Sequence, residues 1–152
     1  MAQVVNRKTL EQVAEFRGHI DPDLFGEELF KLAKLYNLAY VAIEANNHGL
    51  TTITTLKKKY RRLYRRRTVD KISNKARQEY GWLTSGKTKP LAIDKLAEFI
   101  RERHVIINSA VTIDECITYV RHDNGKMGAQ QRRFDDTVMA LAIALYVNDE
   151  VS

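Results

Sequence analysis

The feature that most constrains the fold is a nearly uninterrupted apolar segment, Val138–Val147, near the C-terminus of this 152-residue chain. A helix that is apolar all round must be enclosed by other elements. The segment is well short of the roughly 20 residues that cross a bilayer, so it predicts a core helix rather than a membrane span. Asp135 and Asp136 precede it and are expected to open the helix. The chain is long enough for one compact core, and we predict a single domain over residues 1–152.

Strand and helix patterns interleave along the rest of the chain. Short apolar runs predict strands at 4–5 and 13–16, joined by a turn at 6–9, and at Tyr40–Ile43 and Val105–Ile107. Asp21 as N-cap and Pro22 as first residue predict a helix that Asn37 ends. Apolar residues at helical spacing predict three inner helix faces: Phe25, Leu29, Leu32, Ala33 and Tyr36; Leu50, Ile53, Leu56 and Tyr60; and Ile93, Leu96, Ala97 and Ile100, in a helix from Pro90 to about Arg103. Residues 112–133 are interpreted as a helix or strand followed by a mobile loop at 123–128. This alternation is typical of an α/β fold with a mixed sheet flanked by helices.

Positive charge is concentrated in one part of the chain. The net charge is +6, but residues 57–77 alone contain eleven Lys or Arg and a single acid, Asp70. Such a concentration indicates a polyanionic partner, although basic runs are also common as solvated faces. The candidate DNA-binding residues are Lys57, Lys58, Lys59, Arg61, Arg62, Arg65, Arg66 and Arg67. Tyr60 and Tyr64, interleaved among them, could stack on bases or face the core, and both interpretations remain open.

Two acidic positions are candidates for chemistry. Glu44 directly follows the predicted buried strand, where ligand sites of α/β folds tend to lie, although a surface Glu at a strand end is equally ordinary. Asp135 and Asp136 suit a helix N-terminus because acids cap it and offset its dipole. One Asp is enough for a cap, however, and a divalent cation would relieve the repulsion between two. Their oxygen ligands suit Mg²⁺ or Mn²⁺.

Several other classes of protein are disfavoured. Cys116 is the only cysteine, which excludes a disulfide framework and a cysteine-based zinc site. The four histidines show no HExxH spacing, and the N-terminus resembles neither a signal nor a transit peptide, so we expect an intracellular location.

Gly81–Thr88 satisfies the GxxxxGK[ST] pattern of a phosphate-binding loop. A buried apolar strand should precede such a loop, and residues 78–80 are not one, so an ATPase site is not expected.

Three motifs together resemble the C-terminal nuclease domain of terminase large subunits, the DNA-packaging motors of viruses. They are Tyr40–Asn47, Gly81-Trp82 with Lys89-Pro90, and Phe134–Ala142, and their order matches over nearly the whole chain. The resemblance implies a ribonuclease H-like fold and a two-metal endonuclease that cuts concatemeric viral DNA during packaging. It places Glu44 and Asp136 as ligands of Mg²⁺ or Mn²⁺, with Asp135 as a further ligand or a supporting neighbour. It also implies double-stranded DNA as substrate, no membrane, the host cell cytoplasm as location, and the ATPase domain, portal, capsid and small terminase subunit as partners of the full-length protein.

The chain departs from the family pattern at two places. Phe134 stands where the family usually has a polar residue, which does not affect the ligands. The family's first-strand Asp has no counterpart here and would lie before Ala2, so we expect an N-terminally truncated domain that lacks the first strand. We therefore expect weak metal affinity, little cleavage, a distorted sheet and possible oligomerisation through unpaired strands. Two alternatives stay open: a nucleic-acid-binding module without catalysis, and a Holliday-junction resolvase or transposase of the same fold.

Overall fold

The structure is a computed structural model that describes residues 1–121, 127–129 and 135–151. Its helices are α1 (Pro22–Leu35), α2 (Asn47–Leu56), α3 (Thr88–Arg101), α4 (Ala110–Thr118) and α5 (Asp136–Glu150). Its strands are β1 (Ala2–Val5), β2 (Gln12–Phe16), β3 (Arg65–Val69), β4 (Ala76–Tyr80), β5 (Tyr119–Arg121) and β6 (Met127–Ala129). None of the described helices is long and apolar enough to cross a membrane.

The chain divides into two compact units. Unit 1 comprises Met1–Gly18 and Ser85–Ser152, and unit 2 comprises His19–Thr84. That the whole chain is a single domain, as expected from the sequence, stays a prediction.

Unit 1 is built around α5, which packs against β1, α3 and α4. The helix buries side chains on all sides, including Val138, Leu141 and Leu145, and so confirms the prediction of a core helix. The two strands predicted at the N-terminus form the antiparallel hairpin of β1 and β2, in which Ala2 lies opposite Phe16. The predicted strand at Val105–Ile107 contributes only an isolated parallel bridge from Ile106.

Unit 2 combines the packed pair α1 and α2 with the β3–β4 hairpin. Its core contains Leu29, Ala33, Ile43, Ile53, Leu56, Tyr60, Leu63, Tyr64 and Trp82. The predicted strand at Tyr40–Ile43 is an extended segment rather than a regular strand. It makes isolated parallel bridges, from Val41 to Leu63 and from Glu44 to Trp82.

Several local predictions need correction. Leu50 is 52% exposed, because α2 instead buries Gly49, Thr52, Ile53 and Leu56. In α3, Ala97 and Ile100 are exposed, while Ala92 joins Ile93 and Leu96 inside. The β3–β4 hairpin replaces part of the expected turn-rich stretch. Residues 123–126 of the predicted loop lie outside the described residues, and Met127 and Gly128 belong to β6. The α/β class is confirmed, with the described strands in three two-stranded antiparallel sheets and parallel bridges beside them.

Candidate functional site

The acidic pair lies at the N-terminus of the core helix. Asp135 is the N-cap residue of α5 and Asp136 is its first helical residue, but the Asp135 side chain makes no capping hydrogen bond. Its carboxylate lies 3.8 Å from the Lys89 ammonium, and both side chains are 28% exposed. Burial lowers the pKa of the Met1 ammonium, while the charge of Asp136 opposes that shift, so the two groups are close. The pair is therefore accessible, and the Asp135 side chain does not cap the helix.

The cap of α5 is supplied from another helix. Glu115 of α4 accepts hydrogen bonds from the Thr137 backbone N–H, at 3.3 Å, and from the Thr137 hydroxyl. Glu115 is only 7% exposed. Burial raises the pKa of its carboxyl, and the charges of Asp136, Asp135 and Glu15 add to this effect. A buried carboxylate from another helix thus makes the capping contact expected of one of the two aspartates.

A buried polar network fixes α4 beside the first hairpin. The Thr112 hydroxyl donates to Glu15 at 3.1 Å and accepts from Gln12 and Gln3, each at 3.2 Å. The Gln12 side-chain oxygen also accepts from two backbone N–H groups at the start of α4. Polar groups buried in this way are costly unless paired, so the network favours one arrangement of α4 and of Glu115 on it. Sequence reasoning missed Glu115; the only available signal was its spacing of three residues from Thr112, which puts both on one helix face.

In unit 2, Glu44 sits at the end of the extended segment that follows α1. The Trp82 N–H donates to Ile43 O at 2.7 Å, and the Ala45 N–H donates to Trp82 O at 2.6 Å, so the backbone is held on both sides of Glu44. The Glu44 side chain is half-buried. Among the described residues, its carboxylate has no hydrogen-bonding or ion-pair partner. The backbone thus holds Glu44 in a fixed position, and its carboxylate is available as a ligand.

The start of α2 packs directly on the Glu44 backbone. A Cβ atom on Gly49 would lie 1.7 Å from Glu44 O, so only glycine allows this approach. Asn46 caps the helix, with its side-chain oxygen accepting from the Gly49 N–H at 2.7 Å. Together these contacts explain why an Asn-rich turn with a glycine follows Glu44 in the sequence.

The candidate DNA-binding cations fall into two groups. Lys57, Lys58, Arg61, Arg62, Arg65 and Arg67 are exposed. Lys59 instead pairs with Glu27, and Arg66 pairs with Glu79 at 2.6 Å and donates to Tyr80 O at 2.7 Å. These two cations hold unit 2 together and have less freedom to contact a ligand.

The aromatic residues of the basic segment face the core. Tyr60 is 6% exposed and Tyr64 is 5% exposed. Burial raises the pKa of the Tyr60 hydroxyl, which donates to Ala39 O. The core interpretation is therefore correct, and neither ring is available to stack on bases.

The phosphate-loop pattern has a structural explanation. The Ser85 hydroxyl accepts from the backbone N–H of Lys87 at 3.2 Å and of Thr88 at 3.1 Å, which caps the start of α3. The preceding residues form the strand β4, but that strand is exposed, so they are not the buried apolar strand that a phosphate-binding loop requires, as predicted. Since the N–H groups of Ser85, Lys87 and Thr88 already have side-chain acceptors within the segment, they are not available to cradle a phosphate, and the segment does not present a P-loop.

Comparison with known proteins identifies the family. The family model described as "Terminase RNaseH-like domain" matches residues 11–147. The chain belongs to this family. The crystal structure of the large terminase nuclease from thermophilic phage G20c matches with a TM-score of 0.67 at 20% identity, covering 95% of this chain and 72% of that chain. This likeness shows a ribonuclease H-like fold, as the resemblance implied. No curated protein sequence matches the chain significantly.

The oxygen donors of this terminase domain fit a hard divalent cation. Asp135 and Asp136 lie side by side, and their mutual repulsion, which also acts on Glu115, would be relieved by a positive ion. Within residues 1–121, 127–129 and 135–151, however, no three His, Cys, Asp or Glu side chains are close enough to form a metal site. The sharing of a cation by Glu44 and Asp136 stays a prediction, as do their catalytic roles.

Proposed function

We propose that this terminase domain is a metal-dependent endonuclease acting on double-stranded viral DNA during genome packaging. Family membership supports the nuclease class. The observation that carries the proposal is the position of Asp135 and Asp136 at the start of α5. The Asp135 side chain does not cap this helix, and Glu115 accepts the Thr137 N–H instead. Acids that are accessible and adjacent are suited to hold cations.

The residues of this chain would have distinct roles in metal binding and DNA attraction. Asp136 and Asp135 would hold the metal, with Glu44 as the further carboxylate ligand. Mg²⁺ or Mn²⁺ ions bound there would supply activation of water and stabilisation of the leaving oxygen of a phosphodiester. Lys89 lies beside Asp135 and offsets its negative charge when no cation does so. It would also attract the phosphate backbone toward the acids.

DNA would be held by the exposed cations of the basic segment. Arg and Lys neutralise phosphates and release counterions without reading base sequence. That property suits an enzyme that must cut many different sequences. In the packaging motor, in the host cytoplasm, the proposed partners are the ATPase domain, the portal and capsid, and the small terminase subunit.

The metal site is tested by Mn²⁺ titration of the purified chain, followed by the electron paramagnetic resonance signal of free Mn²⁺. We expect Mn²⁺ binding that weakens on the order of tenfold or more in Asp136→Asn, because removing a ligand costs at least as much as removing a group that orients one. Asp94→Asn is the matched control, since Asp94 is an exposed aspartate on α3 of the same unit. If Asp136→Asn, Asp135→Asn and Glu44→Gln all bind Mn²⁺ as this control does, the proposed ligand set is wrong.

Cleavage is tested on supercoiled plasmid with Mn²⁺. Nicking that requires the metal and disappears in Glu44→Ala would support the nuclease assignment. DNA binding that neither Mg²⁺ nor Glu44→Ala alters, with no cleavage under any condition, would instead favour a binding module without catalysis.

A further inference from the structure

The β3–β4 hairpin projects an apolar side chain into solvent. Its two strands pair in register from Arg65 opposite Tyr80 to Val69 opposite Ala76. At the tip, Ile72 is 97% exposed, although it is a large hydrophobic residue. Isolated exposed hydrophobic residues are common on protein surfaces, but the geometry and charge around this one are specific.

The tip is ordered by its own hydrogen bonds. The Asp70 N–H donates to Lys75 O at 3.0 Å, and the Asn74 N–H donates to Asp70 O at 2.8 Å. The Asp70 carboxylate accepts from the Ile72 N–H at 2.9 Å, and this bond lowers the pKa of Asp70. Asn74 adopts a left-handed conformation, with φ of 56°, that asparagine tolerates better than most residues. Ile72 is therefore held outward by a defined turn.

The surroundings of Ile72 are strongly basic. Residues 65–80 contain six Lys or Arg and two acids, a net charge of +4. One of the acids, Glu79, is neutralised by Arg66. Five exposed cations of the hairpin make no ion pair with any described residue: Arg65, Arg67, Lys71, Lys75 and Arg77. The apolar tip therefore lies between two cations, Lys71 and Lys75. This combination suits a polyanion that also has apolar surface for the tip to contact.

We propose that this hairpin enters a groove of duplex DNA and that Ile72 inserts as a wedge against a base-pair step, bending the duplex. Two-stranded β-ribbons are narrow enough to enter a DNA groove, and isoleucine is among the side chains that unstack base steps. Lys71 and Lys75 contact the phosphates on either side, and Arg65 and Arg67 continue along the backbone. Insertion depends on how easily a step deforms rather than on base-specific hydrogen bonds. The inference rests on the proposed function, because duplex DNA is the substrate that it requires.

The test uses a linear duplex of about 25 base pairs with a fluorescent donor and acceptor at its ends; DNA this short stays nearly straight unless a protein bends it. We expect wild-type protein to raise energy transfer. Ile72→Ser should weaken binding by about tenfold and abolish the increase, since the buried apolar area is lost. The slope of affinity against salt should stay unchanged because no charge is removed. Lys75→Ala should lower that slope by about one.

Leu35→Ser is the matched control, since Leu35 is 75% exposed in the same unit but lies outside the hairpin. It should bind and bend DNA as the wild type does. Salt-sensitive wild-type binding without bending, or bending that Ile72→Ser retains, would overturn the wedge while leaving DNA binding intact. No duplex binding by the wild type at all would count against the proposed function itself. Binding to anionic lipid vesicles that requires Ile72, in the absence of DNA bending, would also refute the proposal.

Discussion

Replacing Glu115 by alanine tests the capping of the core helix most directly. The substitution leaves two donors of Thr137, the backbone N–H and the hydroxyl, without their acceptor in a site that is 1% exposed. Hydrogen bonds to a charged group contribute about 1.5–3 kcal/mol each. Removing the carboxylate also removes the cost of burying it near Asp136, which offsets part of this loss. We expect a net decrease of about 3 kcal/mol in the free energy of unfolding at neutral pH.

The assay is urea or thermal unfolding followed by circular dichroism. For a domain of this size, a loss of that magnitude lowers the melting temperature by about 6–12 °C. Asp94→Ala, an exposed acid-to-alanine change on α3, is the control and should shift it very little. In Thr137→Val, which removes the hydroxyl but keeps the shape, the effect of Glu115→Ala should shrink, because the two residues share one interaction. If Glu115→Ala is no more destabilising than Asp94→Ala, Glu115 does not cap α5.

The same carboxyl gives the stability a defined pH dependence. Because burial raises the pKa of Glu115 in the folded state, the folded protein binds its proton more tightly than the unfolded chain does. Stability should therefore fall as the pH rises from the unfolded pKa through the folded one, and the loss should remain at higher pH. Glu115→Gln keeps one acceptor oxygen and cannot titrate, so the wild type should lose stability relative to it over this window. A difference between the two that stays constant with pH would contradict the argument.

Two further predictions concern the backbone that positions Glu44. Gly49→Ala places a Cβ 1.7 Å from Glu44 O and should cost about 3 kcal/mol or more, whereas Gly86→Ala, with no atom within 4 Å of the added carbon, should be nearly neutral in the same unfolding assay. Equal stabilities of the two variants would mean that α2 does not pack on Glu44. Asn46→Ala should cost about 1 kcal/mol through loss of the cap on α2, while Asn46→Asp should retain most of it; identical losses in both would argue against that cap.

The sequence predicted those elements that are marked by an apolar run. The long run of α5 indicates an enclosed helix, and the short runs of the first hairpin, separated by a polar turn, indicate two strands. The β3–β4 hairpin was missed because Arg65, Arg66 and Arg67 show no apolar alternation, and its ribbon is exposed. Such a strand is stabilised by its partner strand and by the turn, rather than by the burial of one face.

The buried face of α2 shows why helix registers are harder to predict. Apolar spacing selected Leu50, yet that residue is exposed and Thr52 is buried. The Thr52 hydroxyl donates to the Pro22 carbonyl at 2.8 Å, so a polar side chain is satisfied inside the core. Gly49 turns the same face toward Glu44. Hydrophobicity alone carries no information about such contacts, because they depend on a residue about 30 positions away and on close backbone approach.

The sequence was enough to name the candidate acids, but it could not show which carboxylate caps α5. A carboxylate that caps a helix points at the backbone N–H groups, whereas one that binds a cation must present its oxygens outward, so a single group serves one purpose at a time. With Glu115 buried and bonded to Thr137, one backbone N–H at the N-terminus of α5 is satisfied without the Asp135 side chain. The positive end of the helix dipole lowers the cost of gathering Glu115, Asp135 and Asp136 there. Burial raises the pKa of Glu115 and the charges of Asp136 and Asp135 raise it further, so a cation held by these two aspartates would relieve that repulsion.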